Sequence, residues 1–142
     1  MTKSDPRNYL PIEILVVDDS SEDVLLLSMA CRRSGINHSI SRVADGKLAI
    51  EYLREKAPPD VLLLDLKMPR MHGFEVLEWI RQQPALAKLP VIVLSGSNLP
   101  NDKARAKELG AKDYFVKDAD WGALVISLNA RMAEMVSEAI QT

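Results

Sequence analysis

Three acids stand at the ends of two short apolar runs. Ile12-Glu13-Ile14-Leu15-Val16-Val17 leads into Asp18 and Asp19, and Val61-Leu62-Leu63-Leu64 leads into Asp65. Three carboxylates gathered in one cleft repel one another, and the repulsion is relieved by raised pKa values or by a hard divalent cation. No Cys or His lies close by in the sequence, and ligation by oxygen alone favours Mg²⁺ over zinc. Two more polar groups follow similar runs. Ser95-Gly96-Ser97 comes after Val91-Ile92-Val93-Leu94, and Lys117 closes Asp113-Tyr114-Phe115-Val116. Taken singly, each group has an ordinary reading: an acid that caps a helix or forms a turn, a solvated lysine, a turn serine. Together, four strand ends offer complementary acid, hydroxyl and ammonium groups that could serve one polar site.

These residues need elements to hold them. Val61–Leu64 is bounded by Pro58-Pro59-Asp60 and Pro69, is too short for a helix, and reads as a strand buried on both faces. In a parallel α/β sheet the carboxyl ends of the strands open onto the ligand crevice, which places Asp65 at a site. The spacing predicts strands over 12–17, 39–43, 61–64, 91–94 and 113–117. Helices are predicted from Ser20 or Ser21 to about Ser34, from Lys47 to about Lys56, from Phe74 to about Gln83, from Asn101 to Leu109, and from Trp121 to the C-terminus, the last capped by Asp118 or Asp120. In the first helix Val24, Leu25, Leu27, Met29 and Cys31 form the apolar set expected to face the sheet. The fourth helix, with Asp102, Lys103, Arg105, Lys107 and Glu108, is polar enough to bury little and is the candidate for movement. Strand and helix alternate with long connections, giving an α/β fold: a doubly wound, five-stranded parallel sheet.

The 142 residues suit one domain, 12–142, behind a loose tail at 1–11. The formal charge of −2, with acids and bases well mixed, suggests neither direct DNA binding nor a membrane surface. Cys31 is the single cysteine, the N-terminus lacks a signal-peptide core, and no apolar run approaches membrane-spanning length. The expected location is cytoplasmic. Cys31, His38, His72, Met68 and Met71 read as packing or loop residues, and Phe74 and Trp79 as core.

The pieces at 12–19, 61–73, 91–96 and 113–117 resemble the response-regulator receiver family, over nearly the whole chain from Ile12. The resemblance implies strand order 2-1-3-4-5, the flavodoxin-like receiver fold, with the site at the switch between strands one and three. It implies that Asp65 is the phosphoacceptor, taking the group from a phosphohistidine on a sensor histidine kinase or phosphotransfer protein. Asp18, Asp19, Asp65 and the backbone carbonyl of Lys67 would hold Mg²⁺, and Ser95, Gly96 and Lys117 would bind the phosphoryl group. Ser95 and Tyr114 would act as the switch, altering the surface of helix four, strand five and helix five, where a homodimer is also expected. The downstream protein target is left open.

The chain departs from the family in carrying Asp118 where many receivers have proline after the lysine. A trans bond and a different loop are expected there, with extra negative charge from Asp118 and Asp120. The same departure is similar to small single-domain regulators paired with phytochrome-type kinases. With helix five ending near Thr142, no attached output domain is expected. A hydrolytic phosphatase with a strand-end Asp would need a second acid two positions on, where Lys67 stands, so the protein is expected to accept a phosphoryl group, with room for its own hydrolysis of that group, without acting as a turnover enzyme; the lifetime of the phosphoryl group is left open. The alternative is a receiver-fold interaction module that works without phosphorylation. A nucleotide-binding fold would need a glycine-rich loop after the first strand, and there is none.

Overall fold

A computed structural model describes residues 11–117 and 119–141. The elements follow in the order β1 (Ile12–Val17), α1 (Ser21–Arg33), β2 (His38–Val43), α2 (Gly46–Glu55), β3 (Val61–Leu64), α3 (Gly73–Arg81), β4 (Val91–Ser95), α4 (Pro100–Glu108), β5 (Asp113–Val116) and α5 (Trp121–Gln141). All neighbouring strands pair in parallel, in the order β2-β1-β3-β4-β5. The sheet therefore has the expected architecture, with β2 at an edge and only partly buried.

Side chains alternate across a strand, so each inner strand feeds two cores. Ile14, Val16, Leu63, Ile92 and Leu94 pack with Leu27 and Cys31 of α1 and Leu124, Leu128 and Met132 of α5. Leu15, Val17, Leu62, Leu64 and Val91 face the other way, against Ala49 and Leu53 of α2 and Val76, Leu77 and Ile80 of α3. The polar α4 buries only Ala106, which joins Leu66, Phe74 and Val93. Complete burial of one such leucine contributes about 2 kcal/mol, so strands buried on both faces hold the sheet rigid and fix where their C-terminal ends lie.

The differences from the sequence reading have local causes. Leu25 is 61% exposed and Met29 is also exposed, while Leu27 and Cys31 are buried; α1 turns only a narrow stripe to the sheet. After α3 a turn of 3₁₀ helix, Pro84–Leu86, carries the buried Leu86. Asp120 begins α5 through its backbone, its carbonyl accepting the Leu124 N–H at 2.9 Å, but its carboxylate turns back to accept the Val116 N–H at 2.8 Å. The expectations for the tail up to residue 10 and for Asp118 fall outside the described residues.

Candidate functional site

The ladder delivers the acids to one place. Val17 pairs with Leu64 across β1 and β3, and the Asp65 N–H donates to the Val17 carbonyl at 2.9 Å. Asp18 is likewise tied by its N–H to Val43 of β2 at 3.1 Å. A carboxylate oxygen from each of Asp18, Asp19 and Asp65 lies within 4.8 Å of the others. Asp18 is 2% and Asp65 7% exposed, whereas Asp19 faces solvent. Two half-starved carboxylates and one open one form an oxygen cradle suited to a hard cation that keeps some of its water.

Lys117 reaches into the same cradle from the end of β5. Its N–H donates to the Ser95 carbonyl at 2.9 Å, which fixes its backbone beside β4. Its ammonium lies 2.6 Å from Asp23 Oδ2, 3.0 Å from Asp18 Oδ2 and 3.2 Å from Asp65 Oδ2. An ammonium has three donors, and here three carboxylates occupy them.

Four acids against one base shift the protonation equilibria. Burial pushes the Asp18 carboxyl up to about 7, helped by its hydrogen bond with Asp23 and resisted by the Ser20 N–H and Lys117. Burial also raises Asp65, against the pull of Lys117 and of the Lys67 and Leu66 backbone N–H groups. Burial opposes the charge on Lys117, but the hydrogen bonds to Asp23 and Asp18 and the charges on Asp65 and Asp18 outweigh it and hold the amine above its usual range. Asp23 moves down: burial works against it, and its hydrogen bonds to Asp18 and Lys117 prevail.

Ser95 is buried at the end of β4, and its hydroxyl accepts the Ser97 N–H at 3.2 Å. Gly96 is exposed, and an added Cβ there would meet nothing within 4 Å. Lys67 is exposed in side chain and contributes its backbone N–H to Asp65. Tyr114 is half-buried beside the Leu66, Phe74 and Ala106 cluster, and its hydroxyl donates to the Ser97 carbonyl at 2.8 Å. His72 caps α3, its Nδ1 accepting the Phe74 N–H at 3.1 Å, and His38 bonds Ser28 and the Ile36 carbonyl. Both histidines are thus loop and packing residues.

Two participants escape a reading of the sequence alone. Asp23 reads as a helix first-turn acid, yet it faces Lys117. Arg42 of β2 donates from Nε to the Asp18 carbonyl at 3.0 Å and from Nη2 to the Asp19 carbonyl at 2.9 Å, pinning the backbone of the acidic pair. Its place on an alternating edge strand is the only signal the sequence gives.

Residues 14–129 match the family model of the response regulator receiver domain. The chain belongs to this family. As a receiver of two-component signalling it is similar to response regulator Rcp1 of Synechocystis sp., with 36% identity over 113 residues, 75% of this chain and 77% of the relative. It is also similar to the solved structure of the phosphorylated cyanobacterial phytochrome response regulator RcpA (TM-score 0.73, 32% identity, 85% of this chain and 91% of the other). The Mn²⁺-bound form of response regulator Rcp1 gives a TM-score of 0.72 at 32% identity, covering 84% and 91%. That relative holds a divalent metal, and the cluster of Asp18, Asp19 and Asp65 offers the oxygen ligands such an ion takes. The chain spans 23% of the length of one curated relative it matches, a probable cyclic di-GMP phosphodiesterase of Vibrio cholerae, and 97% of another, protein PilH of Pseudomonas aeruginosa. Among the described residues, no helix is long and apolar enough to cross a membrane.

Proposed function

We propose that this receiver accepts a phosphoryl group on Asp65 from the phosphohistidine of a sensor kinase or phosphotransfer protein. The observation that carries the reading is the convergence of Asp18, Asp19, Asp65 and Lys117 on one cradle at the ends of β1, β3 and β5. A carboxylate oxygen of Asp65 forms the new P–O bond as the P–N bond of the donor breaks, its electron pair returning to the imidazole nitrogen. Such a transfer asks the protein for position and charge neutralisation. Asp18, Asp19 and Asp65, with the Lys67 carbonyl, would hold Mg²⁺. When bound, the ion neutralises charge on the phosphoryl oxygens.

The side chains divide the remaining work. Leu66 and Lys67 orient the acceptor through their backbone N–H groups. Lys117, kept charged by its acidic neighbours, takes a phosphoryl oxygen in place of Asp65. Ser95 donates its hydroxyl to another, with the Gly96 backbone alongside, and the side-chain rotation that aims it there carries its oxygen away from the Ser97 N–H that it accepts. Ser97 also accepts the Tyr114 hydroxyl and bonds Asp102 at 2.5 Å in the first turn of α4. A change at Ser95 therefore reaches Tyr114 and α4 through one residue, altering the α4, β5 and α5 surface that a partner or second copy would read. The phosphoryl form is a population shift towards one arrangement of this loop. On this reading the protein is a signalling acceptor without turnover of generic phosphate esters.

Incubation with Mg²⁺ and acetyl phosphate, followed by intact mass measurement, tests the proposal. The wild type should gain one phosphate and Asp65→Asn none. Equal gain in both, or in neither, would favour a module that works without phosphorylation at Asp65.

A further inference from the structure

The loop between β3 and α3, residues 65–72, begins at the acceptor and is fastened to a helix that the phosphoryl chemistry does not use. Among the described residues Arg70 is the one non-glycine in the left-handed region, with φ 69°. A long side chain rarely adopts that backbone, and where it persists the surroundings hold it there. The holder is Asp45. Arg70 donates from Nε at 2.9 Å and from Nη2 at 2.5 Å to Asp45 Oδ2, while Asp45 Oδ1 accepts the Leu48 N–H at 3.0 Å as the N-cap of α2. Asp45 is itself buried. One carboxylate thus closes a helix and grips the loop.

Two further contacts fix the same segment. Met71 lies on Gly46, the first residue of α2, where an added Cβ would come within 2.8 Å of Met71 Cβ and 2.7 Å of Val76 Cγ2. At the base of the loop the Gly73 N–H donates to the Leu66 carbonyl at 2.8 Å. Between base and tip the chain has little freedom, and that stretch contains Lys67, whose N–H orients Asp65.

We propose that Asp45 and Arg70 form a clamp that presets the loop, and with it the Lys67 backbone, in the shape that binds the divalent cation. The inference rests on the phosphoryl-site reading above. Neither residue touches the cradle; both are positioning residues. Preorganisation of this kind raises affinity by removing the cost of ordering the loop when the ion arrives.

The test is a calorimetric titration with Mg²⁺ of the wild type, Arg70→Gly, Asp45→Asn and the ligand variant Asp18→Asn, alongside denaturation of each in the absence of metal. Glycine relieves the strained φ and asparagine still caps a helix, so both clamp variants should unfold near the wild-type midpoint. They should bind Mg²⁺ about tenfold more weakly, as loss of an outer support does at metal sites. That split between unchanged stability and weakened binding separates positioning from a merely structural role. Wild-type affinity in both clamp variants would overturn the clamp and leave the phosphoryl site standing. Absence of Mg²⁺ binding by the wild type would overturn both.

Discussion

Lys117 lies closer to Asp23 than to Asp65: its ammonium is 2.6 Å from the first carboxylate and 3.2 Å from the second. It also bonds Asp18, so the amine stands where a cation would stand towards two of the three candidate ligands. On the proposed reading lysine and metal would compete for Asp18 and Asp65, and a phosphoryl group would let both remain.

Lys117→Met should separate these roles. With the amine gone, Mg²⁺ should bind tighter, by roughly tenfold or about 1.4 kcal/mol, while phosphorylation by acetyl phosphate slows. Metal titration and a time course of mass gain measure the two, and a parallel fall in both would contradict the competition.

The Asp18 carboxyl, pushed up to about 7, gives metal binding a pH dependence. In the metal-free fold the neutral acid is favoured, while a cation needs the carboxylate. Below about pH 7 binding must release a proton, so Mg²⁺ affinity should weaken as pH falls, by up to about tenfold per pH unit, and level off above. The same raised pKa makes Asp18's contribution to metal-free stability decline as pH rises from its ordinary value of 3.8 towards 7. Because the bond with Asp23 helps raise Asp18, Asp23→Asn should move the midpoint to lower pH. Affinity measured across pH 5–8 in the two proteins checks this.

Gly73 is closed to substitution by the backbone that follows β3. A Cβ there would overlap the Asp65 carbonyl oxygen and come within 2.8 Å of the Leu66 Cα, and backbone cannot swing aside as a flexible side chain can. Gly73→Ala should cost about 2 kcal/mol in chemical denaturation and should also slow phosphorylation, since the displaced residue is Asp65 itself. Gly96→Ala, which meets nothing, is the control and should leave stability near wild type.

Tyr114→Phe removes only the hydrogen bond to the Ser97 carbonyl. It should lower stability by about 1 kcal/mol, leave Mg²⁺ affinity unchanged, and weaken any difference in α4 hydrogen exchange between phosphorylated and unphosphorylated protein. An α4 that responds as in the wild type would remove Tyr114 from the switch.

The strands and their acidic ends were legible because doubly buried parallel strands are continuous apolar runs, and a polar residue that closes one must face the crevice. Asp18, Asp19, Asp65 and Lys117 could be named on that ground. Cys31, read as core filling, is buried and its thiol is pushed up to about 11. Asp23 was hidden because a first-turn acid already has a sufficient local explanation in the helix dipole. Arg42 and Arg70 were hidden because a long basic side chain on an edge strand or loop does not reveal which distant carbonyl or carboxylate it reaches. Leu25 and Met29 misled because apolar residues adjoining a buried stripe look the same in sequence whether a helix sits deep or shallow.

Of the four neighbouring acids Asp18, Asp19, Asp23 and Asp65, the proposed reading has Asp65 take the phosphoryl group. Borohydride reduces an acyl phosphate to the alcohol, turning a phosphorylated aspartate into homoserine that peptide mass spectrometry can locate. After labelling with Mg²⁺ and acetyl phosphate, homoserine should appear at position 65 and depend on the metal. Homoserine at position 18, 19 or 23 with Asp65 intact would mean that another acid is the acceptor.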